Sequence, residues 1–177
     1  ETAAIQKRIQ QSQVVHSDET GCRVNGQNWW EWVFCTVTDV LHVIRFDRSV
    51  DVVKEVMEKA QVDVWGSDCW PGQLKAPAKQ RQLCLAHQLR NVQAVVDAFP
   101  TLTWSRAMQV LFRYAMHLHH QRDQLPPDHF AAQVARIERH CDRLLLRDLR
   151  HHPQAAKLQR RYRLYRQGLF VFLYRTD

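Results

Sequence analysis

The sequence has no apolar run that could cross a bilayer: its longest, Leu169 to Tyr174, is far shorter than the roughly 20 residues a spanning helix needs. Nor does it open on the basic, apolar and small-residue series of a secretory signal, and its first residue, Glu1, points to an excerpt of a longer polypeptide. Membrane and secretory readings are set aside. Cysteine is scarce, and Cys22, Cys35, Cys69, Cys84 and Cys141 are odd in number, widely separated and never in a C-x-x-C pair. Neither a disulfide framework nor a zinc ribbon is written here, which suits a reducing, cytoplasmic setting. Glycine numbers only five, and no Gly-rich phosphate loop or nucleophile elbow occurs. Lysine almost disappears from the second half, where Lys157 stands alone.

What replaces lysine is arginine. Residues 1–90 carry 11 Lys+Arg against 11 Asp+Glu, whereas residues 91–177 carry 14 against 7, so the net charge of +7 lies wholly in the second half. Guanidinium forks match phosphate geometry and stay charged at any working pH, which favours a polyanionic partner, most simply nucleic acid. The plainer alternative is a solvated helix surface.

The halves also differ in structural grammar. Five of six tryptophans and four of five glycines precede residue 73, amid Val, Thr and aromatic residues, which is strand composition. Val14 to Val24 leads into Asn25-Gly26, a hairpin signal because both central positions of a type I′ turn need positive φ. Strands over Trp29 to Thr38 and Val40 to Phe46 complete an antiparallel meander. Their middle residues are apolar on both sides, which predicts helical cover on both faces. Ser49 suits the N-cap of a helix over Val50 to Lys59, followed by a short strand from Val62 to Gly66 with Asp68 at its end.

From Leu85 the hydrophobic period changes to 3.6. Leu85, Leu89, Val92, Val96 and Phe99 form one stripe, and Trp104, Met108, Leu111, Ala115 and Leu118 the next. Phe130, Val134, Ile137, Cys141, Leu144 and Leu145 form a third after Pro126-Pro127. Leu158, Tyr162 and Tyr165 suggest a fourth helix with Gly168 as its C-terminal cap, and Leu169 to Tyr174 fits either a buried helix or a strand.

Asp18 lies mid-strand and Asp68 at another strand's end. Because side chains alternate across a strand, Asp18 and Glu19 face opposite sides and only one can partner Asp68. Two carboxylates a strand spacing apart offer Mg²⁺ the oxygen ligands it prefers, with water and phosphate completing the octahedron. On spacing alone, Asp68 could instead cap a turn while Asp18 pairs with an arginine.

At these residues a resemblance enters. His16-Ser17-Asp18-Glu19-Thr20-Gly21-Cys22-Arg23-Val24-Asn25-Gly26, leading into Trp30-Glu31-Trp32-Val33-Phe34, resembles the first catalytic motif of bacterial transposases of the insertion-sequence 66 type. Gly66-Ser67-Asp68-Cys69 resembles the family's second-aspartate motif, and Gln80 to Arg90 its Gln-Arg-x-Cys-x-Ala-His-Leu-x-Arg segment. Cys22 stands where the family commonly has an aromatic, and Trp70 where it often has Tyr. The resemblance implies an α/β chain: an RNase H-like mixed sheet built as three antiparallel strands, helix, strand and helix, followed by an α-helical insertion. It divides the sequence into a lead-in over residues 1–13, a catalytic core over 14–90 and an arginine-rich helical subdomain over 91–177. It further implies DNA strand cleavage and strand transfer in transposition, with Asp18 and Asp68 as catalytic residues and ligands of a two-metal Mg²⁺ or Mn²⁺ site. The partners would be transposon ends and target DNA, with a possible second copy of the chain, no small-molecule cofactor, and a bacterial cytoplasm or nucleoid as location. The family's third acid, a Glu in an Asn-rich motif, does not occur before Asp177, so two of three acids are expected here.

Other residues carry weaker signals. Cys84 and His87 at C-x-x-H spacing would be half a zinc site, but a buried thiol beside a bonded imidazole suits them better. His87 and Arg90 are candidates to orient phosphate, whereas His117, His119 and His120 read as surface residues. Arg136, Arg139, Arg143, Arg147 and Arg150 follow 3, 4, 4, 3 spacing, opposite the apolar stripe, and are candidate DNA contacts. Glu138 and Asp142 flank them, which would partly neutralise the stripe. The rival to a catalytic core is a non-catalytic nucleic-acid-binding or assembly fragment with an RNase H-like sheet.

Overall fold

The computed structural model describes residues 1–175; Thr176 and Asp177, the end of the expected helical subdomain, lie outside the described residues. The chain forms two compact units that divide between Cys84 and Leu85.

In the first unit, helix α1 (Thr2–Gln11) precedes strands β1 (Val14–Val24), β2 (Gln27–Cys35) and β3 (Val40–Arg45), helix α2 (Val50–Met57), and strands β4 (Val62–Ser67) and β5 (Ala78–Leu83). The sheet runs β3-β2-β1-β4-β5. β1 pairs antiparallel with β2 and β2 with β3, whereas β1–β4 and β4–β5 are parallel. Asn25 (φ 50°) and Gly26 (φ 77°) take the two positive-φ positions that the β1–β2 hairpin requires. Ser49 caps α2, its side chain accepting from the Asp51 N–H at 3.2 Å.

Two elements escape the sequence pattern. The strand order expected from pattern, three antiparallel strands, helix, strand and helix, gains β5 before the next helix, because Lys79, Gln80, Arg81 and Gln82 give an edge strand little apolar alternation. The lead-in over residues 1–13 contains α1, whose glutamines reach across: Gln6 and Gln10 donate to the Val56 carbonyl at 3.0 and 2.7 Å. Arg8 meets Asp39 at 2.7 Å, and Ile9 is fully buried.

The core of this unit gathers Ile9, Val15, Trp32, Phe34, Leu41, Val53, Met57 and Trp65 between α1, α2 and one face of the sheet. Trp32 and Phe34 stack with ring centroids 6.3 Å apart, and Trp65 meets Phe34 edge-on at 6.1 Å. Burying these rings is the main local source of stability, because each removes a large apolar area from water. On the opposite face Val40 and Ile44 of β3 stay 51% and 48% exposed, so the helical cover expected on both faces is not found over this edge strand.

The second unit contains α3 (Leu85–Ala98), α4 (Thr103–His120), α5 (Pro127–Leu145) and α6 (Pro153–Leu164). Pro127 and Pro153 occupy first turns, where the missing N–H costs nothing. Trp104 on α4 is fully buried and donates to the Leu144 carbonyl of α5 at 3.0 Å, while Tyr162 of α6 packs edge-on against Phe112 at 5.6 Å. α6 stops at Leu164 rather than near Gly168, and the chain coils into 3-10 turns over Arg166–Gly168 and Val171–Tyr174. That run is neither α-helix nor strand; the short turns put Leu169, Phe170, Val171 and Leu173 all inside.

Candidate active site

β1 carries two acidic residues in succession, and pleating sends them apart. Asp18 falls on the face of His16 and Thr20 and is exposed. Its Oδ1 accepts from the Glu19 N–H at 3.1 Å. Glu19 falls on the core side with Val15 and Ser17, and its side chain is only 1% exposed.

Asp68 follows the last residue of β4 and is half-buried. Its Oδ1 accepts from the Trp70 N–H at 2.8 Å, a local turn of the kind Asp favours, while Oδ2 has no hydrogen-bond partner among the described residues. The β1–β4 ladder ends with His16 beside Gly66, and the same in-step register leads toward Asp18 and Asp68. The close approach of His16 to Gly66 requires glycine, since a Cβ there would lie 2.1 Å from the imidazole Nδ1. Burial holds the His16 imidazole below its ordinary pKa.

A polar cluster that sequence reasoning missed lies next to this pair. Arg48, just before α2, donates from Nε and a terminal nitrogen to Glu19 Oε1 at 2.8 and 2.6 Å. Gln73, in a 3-10 turn after β4, donates to Glu19 Oε2 at 2.6 Å and lies 3.1 Å from the Ser17 hydroxyl. The Gln73 carbonyl oxygen accepts from Trp65 Nε1 at 3.0 Å. The guanidinium of Arg48 lies 4.8 Å from the ring centroids of both Trp30 and Trp70. Burial pushes the Glu19 carboxyl above its usual range; Gln73 and Arg48 pull it down, and the charge of Asp68 pushes it up. Glu19 and Asp68 therefore sense each other. Nothing in the sequence distinguishes Arg48 or Gln73 from ordinary polar residues, because each is far in sequence from Glu19.

The donor chemistry of the two aspartates, Asp18 exposed and Asp68 half-buried, is that of hard carboxylate oxygens, the kind a divalent cation such as Mg²⁺ prefers. Among the described residues no group of three or more His, Cys, Asp or Glu side chains is gathered as a metal-binding cluster.

The candidate nucleic-acid contacts fall in the second unit. His87 is half-buried in the first turn of α3, and Arg90 is exposed on the same helix. The arginine stripe needs correction: α5 ends at Leu145, so only Arg136, Arg139 and Arg143 share its exposed surface. Arg147 lies beyond the helix and reaches Thr103 Oγ1 at 3.2 Å, while Arg150 pairs with Asp148 at 2.5 Å. The expected neutralisation by Glu138 and Asp142 is also corrected, because Arg166 takes both carboxylates. Arg136, Arg139 and Arg143 are left with no ion pair among the described residues. Arg143 and Arg136, together with Arg147, help hold His140 below its ordinary pKa, after burial.

No described helix is long and apolar enough to cross a membrane, and none of the five cysteines is in a disulfide among the described residues. No curated protein and no solved structure matches the chain. The family model described as Transposase IS66 family matches residues 2–177, and with the Asp18 and Asp68 motifs in order on neighbouring strands, the chain belongs to the IS66 family of transposases.

Proposed function

We propose that this transposase chain contributes an RNase H-like catalytic core that cleaves DNA strands and joins them to target DNA, with Asp18 and Asp68 holding Mg²⁺ or Mn²⁺. The observation that carries the reading is the parallel β1–β4 ladder, whose register leads from His16 and Gly66 to the two aspartates. Divalent ions bound there would activate the attacking oxygen and stabilise the leaving one during in-line displacement at phosphorus. The chain's own part is to present oxygens. Asp18 offers an exposed carboxylate, and the Trp70 N–H fixes Asp68 through its Oδ1. Arg136, Arg139 and Arg143 position the DNA backbone without reading bases, and His87 and Arg90 orient phosphate. The reaction belongs where bacterial DNA is, in the cytoplasm.

The test is Mn²⁺ binding by the full chain, followed by electron paramagnetic resonance. Asp18→Asn and Asp68→Asn should each weaken binding at least about tenfold, because a two-ligand site loses half its charge. Equal binding by native chain and both variants would refute the metal site. It would favour instead the reading of a binding or assembly module.

A further inference from the structure

We infer that Glu19 is a positioning residue: by clamping Arg48 and Gln73 it holds the turn that carries Asp68 against β1 and so sets where Asp68 stands relative to Asp18. The inference rests on the metal reading above for its functional meaning, but its geometry is independent of it.

Glu19 belongs to the wrong face of β1 to join Asp18, yet its side chain is almost entirely buried. A carboxylate so placed is expensive unless every oxygen is satisfied, and here both are: Oε1 by two nitrogens of Arg48, Oε2 by Gln73. Well-packed apolar residues would stabilise the same volume as well or better, so the pair is poorly explained by stability alone. What a carboxylate adds is direction. Its bonds tie its own strand β1 to two separate segments: the loop before α2 through Arg48, and the turn after β4 through Gln73.

From those anchors the constraint passes to Asp68. Arg48 is flanked by the Trp30 and Trp70 rings, each 4.8 Å from its guanidinium carbon. Trp70 in turn donates its backbone N–H to Asp68 Oδ1 at 2.8 Å. Gly72 completes the arrangement, because a Cβ at that position would lie 1.7 Å from the Trp70 ring. Gln73 cannot rotate freely, since its carbonyl oxygen is engaged by the buried Trp65 Nε1. The turn from Asp68 to Gln73 is thus fixed at both ends, and each end refers back to Glu19.

Glu19→Gln tests this in the full chain. It sets one amide N–H₂ against the Gln73 N–H₂, two donors facing each other, and removes the charge that holds Arg48. Glu19→Gln combined with Gln73→Glu restores donor to acceptor and keeps the net charge. Two readouts are taken: residue-resolved exchange of the Trp70 amide, and Mn²⁺ affinity by electron paramagnetic resonance. Glu19→Gln should speed Trp70 exchange about tenfold while the β1–β2 amides keep native protection, and should lower Mn²⁺ affinity about tenfold, as loss of an outer partner does. The combined variant should return both to within about threefold of native. Should Glu19→Gln not fold, Arg48→Lys keeps the charge but loses the two-nitrogen hold and is expected to give the same pattern. Exchange that accelerates uniformly through the first unit, or does not change at Trp70, overturns the inference. Native chain that binds Mn²⁺ no better than Asp18→Asn overturns the metal reading instead, while Trp70 exchange still decides the positioning.

Discussion

Replacing Arg136, Arg139 and Arg143 together with alanine gives the most quantitative check on how the second unit meets DNA. These three share the exposed surface of α5 and have no ion pair among the described residues, whereas Arg150 is held by Asp148 and Arg166 by Glu138 and Asp142. Each phosphate neutralised on duplex DNA adds about 0.9 to the slope of log affinity against log salt, so the triple variant should lose about 2.7 units of slope. Across a fourfold rise in salt, from about 50 to about 200 mM, one such contact is worth about 3.5-fold and three about 40-fold. Native affinity should therefore fall about 40-fold more over that window than the affinity of the variant. Fluorescence anisotropy with a labelled random duplex measures the slopes, and a second duplex of unrelated sequence should give the same loss, since phosphate contacts carry no sequence information. Arg150→Ala serves as the control and should leave the slope near native. A triple variant whose slope equals the native one, or an Arg150→Ala variant that loses as much as one of the three, would refute the division of arginines by their ion pairs.

Gly66→Ala should destabilise the first unit by about 1–3 kcal/mol in urea unfolding, because its Cβ would displace the His16 ring. Adding His16→Ala should recover most of that loss, and no recovery would mean the clash is not the cause. Arg8 holds the Asp39 carboxyl below its usual range by a direct hydrogen bond, helped by Thr38. A carboxyl whose folded pKa is depressed contributes stability above its unfolded pKa, about 3.9, and loses it as pH falls through the folded value. Arg8→Ala should therefore lower stability near neutral pH and flatten its fall on the acid side below about pH 4; parallel acid limbs for native and variant would contradict this.

Local chemistry alone determined much of this protein. Asn25-Gly26 can only be a tight turn between Val-rich and Trp-rich strands, Ser49 caps a helix from its own sequence context, and Pro127 opens another. The alternation that puts Asp18 and Glu19 on opposite faces of β1 follows from the strand itself, as does the 3.6-residue period from Leu85 onward. The ordered motifs at Asp18 and Asp68 point to the transposase family from the sequence alone. Other features had no local signature. α1 is held by glutamines that reach Val56 and by one buried isoleucine, and β5 is a polar edge strand that β4 recruits through backbone pairing. The spacing of five arginines could not reveal where α5 would end, nor that Arg166, far along the chain, would take Glu138 and Asp142 and leave Arg136, Arg139 and Arg143 bare. Glu19 shows the difference most clearly: its face was legible, but its partners were not. Periodicity records which side of an element is buried, whereas ion pairs and hydrogen bonds between distant segments depend on where the packed elements bring two side chains within about 3 Å. Only the tertiary fold fixes that.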